Sequence, residues 1–181
     1  GTSTMGGALV IVSGENFGPP YNVPSKISLI DYPHANYGPA HDQQRYVINC
    51  TVISHAKMTC ELAAGVGRGH RWRVTVGGQN SPVFEGITTR YADPDITHIE
   101  AADARGMNTL GCSLPDDGTC ITLTGSNFGP VCDSETPFCA IATYGGINGT
   151  RYGPVSCRVK TAHTHLECNT YPSIGKDHRW K

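Results

Sequence analysis

Ser13-Gly14-Glu15-Asn16-Phe17-Gly18-Pro19 returns 111 residues later as Thr124-Gly125-Ser126-Asn127-Phe128-Gly129-Pro130. Outward from this motif the correspondence continues. Cys50 and Cys60 return as Cys157 and Cys168, His55 as His163, and His70-Arg71-Trp72 as His178-Arg179-Trp180. The separation changes by only a few residues along the way, so the repeating unit has the length of a small domain and is too long for a solenoid repeat. The chain therefore reads as two modules, 1–92 and 93–181, joined by the short stiff stretch Asp93-Pro94-Asp95. Function is expected to reside in a string of similar modules and not in one pocket.

Within each module the pattern is that of short strands. The chain has 22 Gly and 12 Pro in 181 residues without any low-complexity run, a composition that reads as frequent tight turns. Strands are expected at 8–13, 26–31, 46–53, 57–62, 71–77, 81–85 and 86–91, and in the second module at 96–100 and 119–124. The alternation is cleanest over 71–77, with Trp72, Val74 and Val76 on one face and Arg71, Arg73 and Thr75 on the other. Residues 32–42, holding two prolines and a glycine, read as a loop, as do residues 131–139. In the repeated turn Gly18 is expected where φ is positive, and Phe17 is expected to plug the end of the core. No stretch shows a 3.6-residue apolar period. The fold class is all-β, two tandem sandwiches.

The eight cysteines, Cys50, Cys60, Cys112, Cys120, Cys132, Cys139, Cys157 and Cys168, fall as four sequence-local pairs, and none forms Cys-x-x-Cys. Of the 105 possible pairings, the set 50–60, 112–120, 132–139 and 157–168 is proposed, because the repeat puts Cys50/Cys60 and Cys157/Cys168 in equivalent places. Asn49-Cys50-Thr51 and Asn148-Gly149-Thr150 are N-glycosylation sequons. Both features point to an oxidising, extracellular setting, with free buried thiols in a cytosolic protein as the competing reading.

Several function classes are excluded. The net charge is −1, and the densest basic stretch, Arg68, His70, Arg71 and Arg73, reads as a solvated strand face, so nucleic acid is not an expected partner. The longest apolar run, 8–12, is far too short to insert in a membrane, and no charged-then-apolar leader opens the sequence. There is no Gly-x-Ser-x-Gly elbow and no His-Glu-x-x-His, and each cysteine has a plausible partner, so no catalytic residue and no cofactor is assigned. His163-Thr164-His165 would place two imidazoles on one strand face, but Lys57 stands where His165 recurs, and no metal site is assigned. Asp93 and Asp95 at the junction read as an exposed polar hinge rather than a Ca²⁺ site, which would need six to eight oxygen ligands where only Asp103, Asp116 and Asp117 are further candidates. Trp72 and Trp180 are expected to point inward.

The Gly6-Gly7 lead-in, apolar strand, Gly-x-Asn-Phe-Gly-Pro turn, paired cysteines, Val74-Thr75-Val76-Gly77-Gly78 and the Tyr91-Ala92-Asp93-Pro94-Asp95-Ile96 junction together resemble IPT/TIG domains. These are immunoglobulin-like, early-set sandwiches of plexins, cell-surface receptors and large secreted proteins. The tandem arrangement is similar to that of fibrocystin-like and large protist cell-surface proteins. The resemblance implies no catalytic residues. It also implies that the first module lacks the opening Pro-x-Ile strand that residues 94–99 supply to the second, and that the second lacks its last strands, Lys181 being equivalent to Arg73. A window cut from a longer array, or sandwiches completed by strands of neighbouring chains, would account for this. The expected function is structural or adhesive: a semi-rigid, disulfide-pinned array that binds other extracellular proteins or copies of itself, as in an extracellular filament such as a flagellar hair. The alternative is a carbohydrate-binding or accessory module of a secreted enzyme, which predicts a row of exposed aromatics drawn from Tyr21, Tyr32, Tyr37, Tyr144 and Tyr152. The DNA-binding, Rel-type branch of the fold predicts basic loops and reduced cysteines, and the sequence has neither.

Overall fold

In the computed structural model, which describes residues 1–20, 32–86, 89–101, 121–135, 138–175 and 177–181, all regular secondary structure is β. The chain divides into two units, Gly1–Ala92 and Asp93–Lys181. The expected strand at 26–31 lies outside the described residues.

The first unit contains β1 (Leu9–Ser13), β2 (His34–Gly38), β3 (Tyr46–Ser54), β4 (Lys57–Glu61), β5 (Arg71–Val76) and β6 (Gln79–Asn80), in the order β1-β4-β3-β2-β5-β6. All pairings are antiparallel. β3 makes the unit a sandwich because its two halves have different partners. Tyr46 to Asn49 pair with β2, whereas Cys50 to Ser54 pair with β4. Ile48, Cys50 and Val52 alternate inward along its whole length, so the ladder folds over into two layers around them. Met58 and Cys60 of β4 meet Ala35, Tyr37, Trp72 and Val74 of β2 and β5 in this core, and Phe17 closes one end.

The second unit repeats the plan with β7 (Asp95–Ala101), β8 (Ile121–Ser126), β9 (Ala140–Tyr144), β10 (Tyr152–Thr161) and β11 (His165–Cys168), in the order β7-β8-β11-β10-β9. Here β10 changes partner, from β9 to β11, at Cys157. Ile121, Leu123, Phe128, Tyr144, Val155, Val159 and Leu166 form the core.

Two expectations are corrected. Residues 32–42 do not form a loop: β2 lies within them as an interior strand, with Ala35 and Tyr37 fully buried. Pro33 and Pro39 stand immediately outside its ends, where a missing N–H removes no ladder bond. Residues 81–85 do not form a strand: Pro82 cannot donate, the short β5–β6 ladder ends at Asn80, and beyond the Ser81 N–H bond to the Val74 carbonyl the segment pairs at the isolated Phe84–Trp72 bridge. Of the strand expected at 86–91, residues 87–88 lie outside the described residues and Tyr91 makes an isolated bridge to Thr2.

Candidate interaction surface

The two units differ most at the strand carrying the repeated motif. In the second unit β8 lies between β11 and β7. In the first, its equivalent β1 pairs only with β4 among the described residues. Backbone direction along β1 follows from three bonds: Gly7 N–H donates to the Leu62 carbonyl, Leu62 N–H to that of Ala8, and Gly14 N–H to that of Ala56. With the two-residue alternation of a strand, Val10 and Val12 turn their polar groups toward β4. Leu9, Ile11 and Ser13 turn theirs to the opposite edge, which has no strand partner among the described residues. Their side chains share the outer face, where Leu9 is 73% and Ile11 66% exposed. Glu61 lies opposite Leu9, Thr59 opposite Ile11 and Lys57 opposite Ser13. Ile53 and Val47 of β3 are further exposed aliphatics.

In the second unit the features that seat β7 are also those of the motif. A Cβ on Gly125 would fall 1.9 Å from the Asp95 carbonyl oxygen, so only glycine lets β7 pass. The Asn127 amide donates to the Asp93 carbonyl at 3.2 Å. The first unit has Gly14 and Asn16 at these places, with Asn16 at φ 64° and Asn127 at φ 63°. The atoms nearest a Cβ on Gly14 all belong to the Phe17 ring, and Asn16 is exposed.

Each core is tied to the loop after its second cysteine by two tyrosines. The Tyr46 hydroxyl donates to the Val66 carbonyl and accepts from the Val66 N–H. Tyr152 does the same with Ile174, and Tyr144 with Tyr171. Tyr37 makes a three-membered version: Ala63 N–H donates to Tyr37, Tyr37 to the Tyr91 hydroxyl, and Tyr91 to the Ala63 carbonyl. Burial, the main cause, raises the Tyr37 and Tyr91 hydroxyls above the ordinary tyrosine range. Trp72 stacks on Tyr37 and Trp180 on Tyr144, both with centroids 4.6 Å apart.

His70 sits in this aromatic box, fully buried, its rings meeting Tyr37, Tyr46 and Tyr91 at 5.4 to 5.9 Å. Desolvation is the main cause that holds its imidazole below the usual value. Val66 opposes this in part and Arg45 reinforces it. The Val66 carbonyl already accepts from Tyr46, and Nε2 of His70 has no hydrogen-bond partner among the described residues.

The second unit carries a buried carboxylate with no counterpart among the described residues of the first. Glu167 on β11 is fully buried and pairs with Arg158 at 2.6 Å and with Lys160, both on neighbouring β10. The pair follows from register: Arg158 lies directly opposite Glu167, one step from Cys157↔Cys168. Threonines 51 and 59 hold the matching places in the first unit.

Cys50–Cys60 and Cys157–Cys168 bridge directly opposed residues of adjacent strands, with Cα atoms 4.2 and 4.1 Å apart. Cys132–Cys139 closes the 131–139 loop. Cys112 and Cys120 lie outside the described residues, as do Asp103, Asp116, Asp117 and Tyr21. Asn49, on the outer face of β3, and Asn148, in a turn, are both exposed. His163 lies in the turn between β10 and β11 at φ 66° and His165 on β11, so the two are not on one strand face. Instead the carbonyls of His55 and His163 accept from the Phe17 and Phe128 N–H groups, so both positions meet the motif through backbone groups. No group of three His, Cys, Asp or Glu that could hold a metal is gathered among the described residues. Tyr37 and Tyr144 are fully buried and do not belong to any exposed aromatic row. Among the described residues no helix is long and apolar enough to cross a membrane.

The chain matches no protein-family model and no curated protein.

Proposed function

We propose that this chain is a non-catalytic structural and adhesive segment of a secreted or cell-surface glycoprotein built from repeated IPT/TIG-type sandwiches. The observation that carries the reading is the repetition of one covalent and aromatic frame in both units. A cross-strand disulfide, a tyrosine stacked on a tryptophan and a tyrosine-latched loop occupy equivalent places. Such a frame resists deformation, and cross-strand disulfides persist outside the reducing cytosol. Repetition of scaffold without a recurring cluster of reactive groups suits a brick in an array better than an enzyme. The exposed sequons place glycans, when added, on an outer face, where they limit unwanted edge pairing. The exposed aliphatic edge of β1 supplies a contact to other modules or surface proteins.

The test is to isolate the protein from its native source without reductant and to size and image it. The reading expects it in an elongated, high-molecular-weight surface assembly. Recovery as a free intracellular monomer would overturn it.

A further inference from the structure

We propose that the edge of β1 left without a strand partner among the described residues is a strand-acceptor site, and that its occupant is one extended, antiparallel strand of the β7 type supplied by a further repeat of the same kind. This rests on the array reading above. Three features that seat β7 in the second unit are present at equivalent places in the first. The ladder edge is there: Ile11 and Ser13 direct their backbone groups away from β4, as their equivalents Thr122 and Thr124 on β8 do toward β7. The glycine that lets β7 pass is there as Gly14, and only the Phe17 ring crowds it. The amide that holds the strand's lead-in carbonyl, Asn127 on Asp93, is there as Asn16, in the same left-handed conformation.

The occupant's chemistry follows from the register. Carried across the repeat, the β7–β8 ladder sets Val12 opposite an Ile99-type residue, Ile11 opposite a Glu100-type residue and Gly14 opposite an Ile96-type residue, with a one-residue bulge between. Exposed Leu9 and Ile11 flank such a strand on the outer face, where the methylenes of the Glu100-type side chain opposite Ile11 would lie over it. Edge addition of this kind draws affinity from main-chain hydrogen bonds and selectivity from alternate side chains. An edge left open with aliphatics on it would otherwise invite indiscriminate pairing.

The experiment uses the 181-residue chain and a synthetic peptide with the sequence of residues 93–101, at millimolar peptide, with amide hydrogen exchange resolved by residue. The expected result is that the Ile11 and Ser13 amides exchange freely in the chain alone. They should slow at least tenfold with the peptide, and a peptide carrying Glu100→Pro, which cannot donate opposite Ile11, should give no protection. Ile11→Pro in the chain should abolish the effect as well, and the peptide variant decides the matter if that protein does not fold. Two results would overturn the proposal. One is edge amides already protected in the free chain, whether by the chain itself or by a second copy revealed by a doubled mass. The other is no protection by the peptide while the chain keeps its disulfides and native spectrum. Failure of the peptide would leave the array reading standing, whereas a reduced protein without glycans in its native setting would remove the array reading even if the peptide bound.

Discussion

The Tyr46 hydroxyl satisfies both backbone polar groups of Val66, donating to its carbonyl at 3.1 Å and accepting from its N–H at 3.0 Å. One side chain thus replaces a whole turn of secondary structure for the loop that follows β4, and the same arrangement recurs at Tyr152 and Ile174. Tyr46→Phe strips two half-buried groups of their partner. It should cost about 1–3 kcal/mol, read by urea denaturation. Tyr152→Phe, where the pair is exposed, should cost under about 1 kcal/mol because water takes the hydroxyl's place.

Acid should weaken the first unit through His70. Its folded-state pKa is held below the ordinary imidazole value of about 6.5, chiefly by burial, so the unfolded state takes up the proton first. Stability is then fully present above about pH 6.5 and is lost as the pH falls below that, levelling only beneath the lower folded-state pKa. The urea midpoint should drop between pH 7.5 and 5, and His70→Gln should flatten the dependence. A midpoint that rises on acidification would contradict this.

Removing one partner of Glu167 should be costlier than its surface position suggests. Arg158→Met removes one of the two cations paired with a fully buried carboxylate, and breaking such a pair typically costs about 3–5 kcal/mol. Because Arg158 is itself partly exposed, the lower end or slightly less is expected. Adding Glu167→Leu should recover part of the loss, since the penalty belongs to the stranded charge. A double mutant no more stable than the single one would refute that reasoning.

Replacing Cys157 and Cys168 together by Ala removes a bridge over a sequence separation of 11. The loop-entropy relation gives about 3 kcal/mol of lost stability. Differential scanning calorimetry of the oxidised parent and the double variant measures it.

How far the sequence could be read depended on which residues carry period-2 contrast. Trp72 and Val74 alternate with Arg71 and Arg73, and β5 stands where it was expected with the tryptophan inward. β2 escaped notice because His34, Asn36 and Gly38 separate only two inward residues, and Pro33 and Pro39 suggested a loop where they mark strand ends. The strand expected over 81–85 failed at Pro82. The Glu167 cluster could have been found, since the Cys157–Cys168 pairing sets Arg158 opposite Glu167. The tyrosine latches could not, because the residues they hold contribute only backbone groups. The repeat exposed the motif, but its task of seating β7 became visible only with the 1.9 Å approach at Gly125.

The most direct test of the central claim is the thiol and glycan state of the protein as isolated from its native source, read by intact mass after alkylation and after N-glycosidase treatment. An extracellular array module should take up no alkylating agent at Cys50, Cys60, Cys157 or Cys168 without reduction, and should lose mass to the glycosidase. Alkylation at those four cysteines in the unreduced protein, with no glycan to remove, would contradict it.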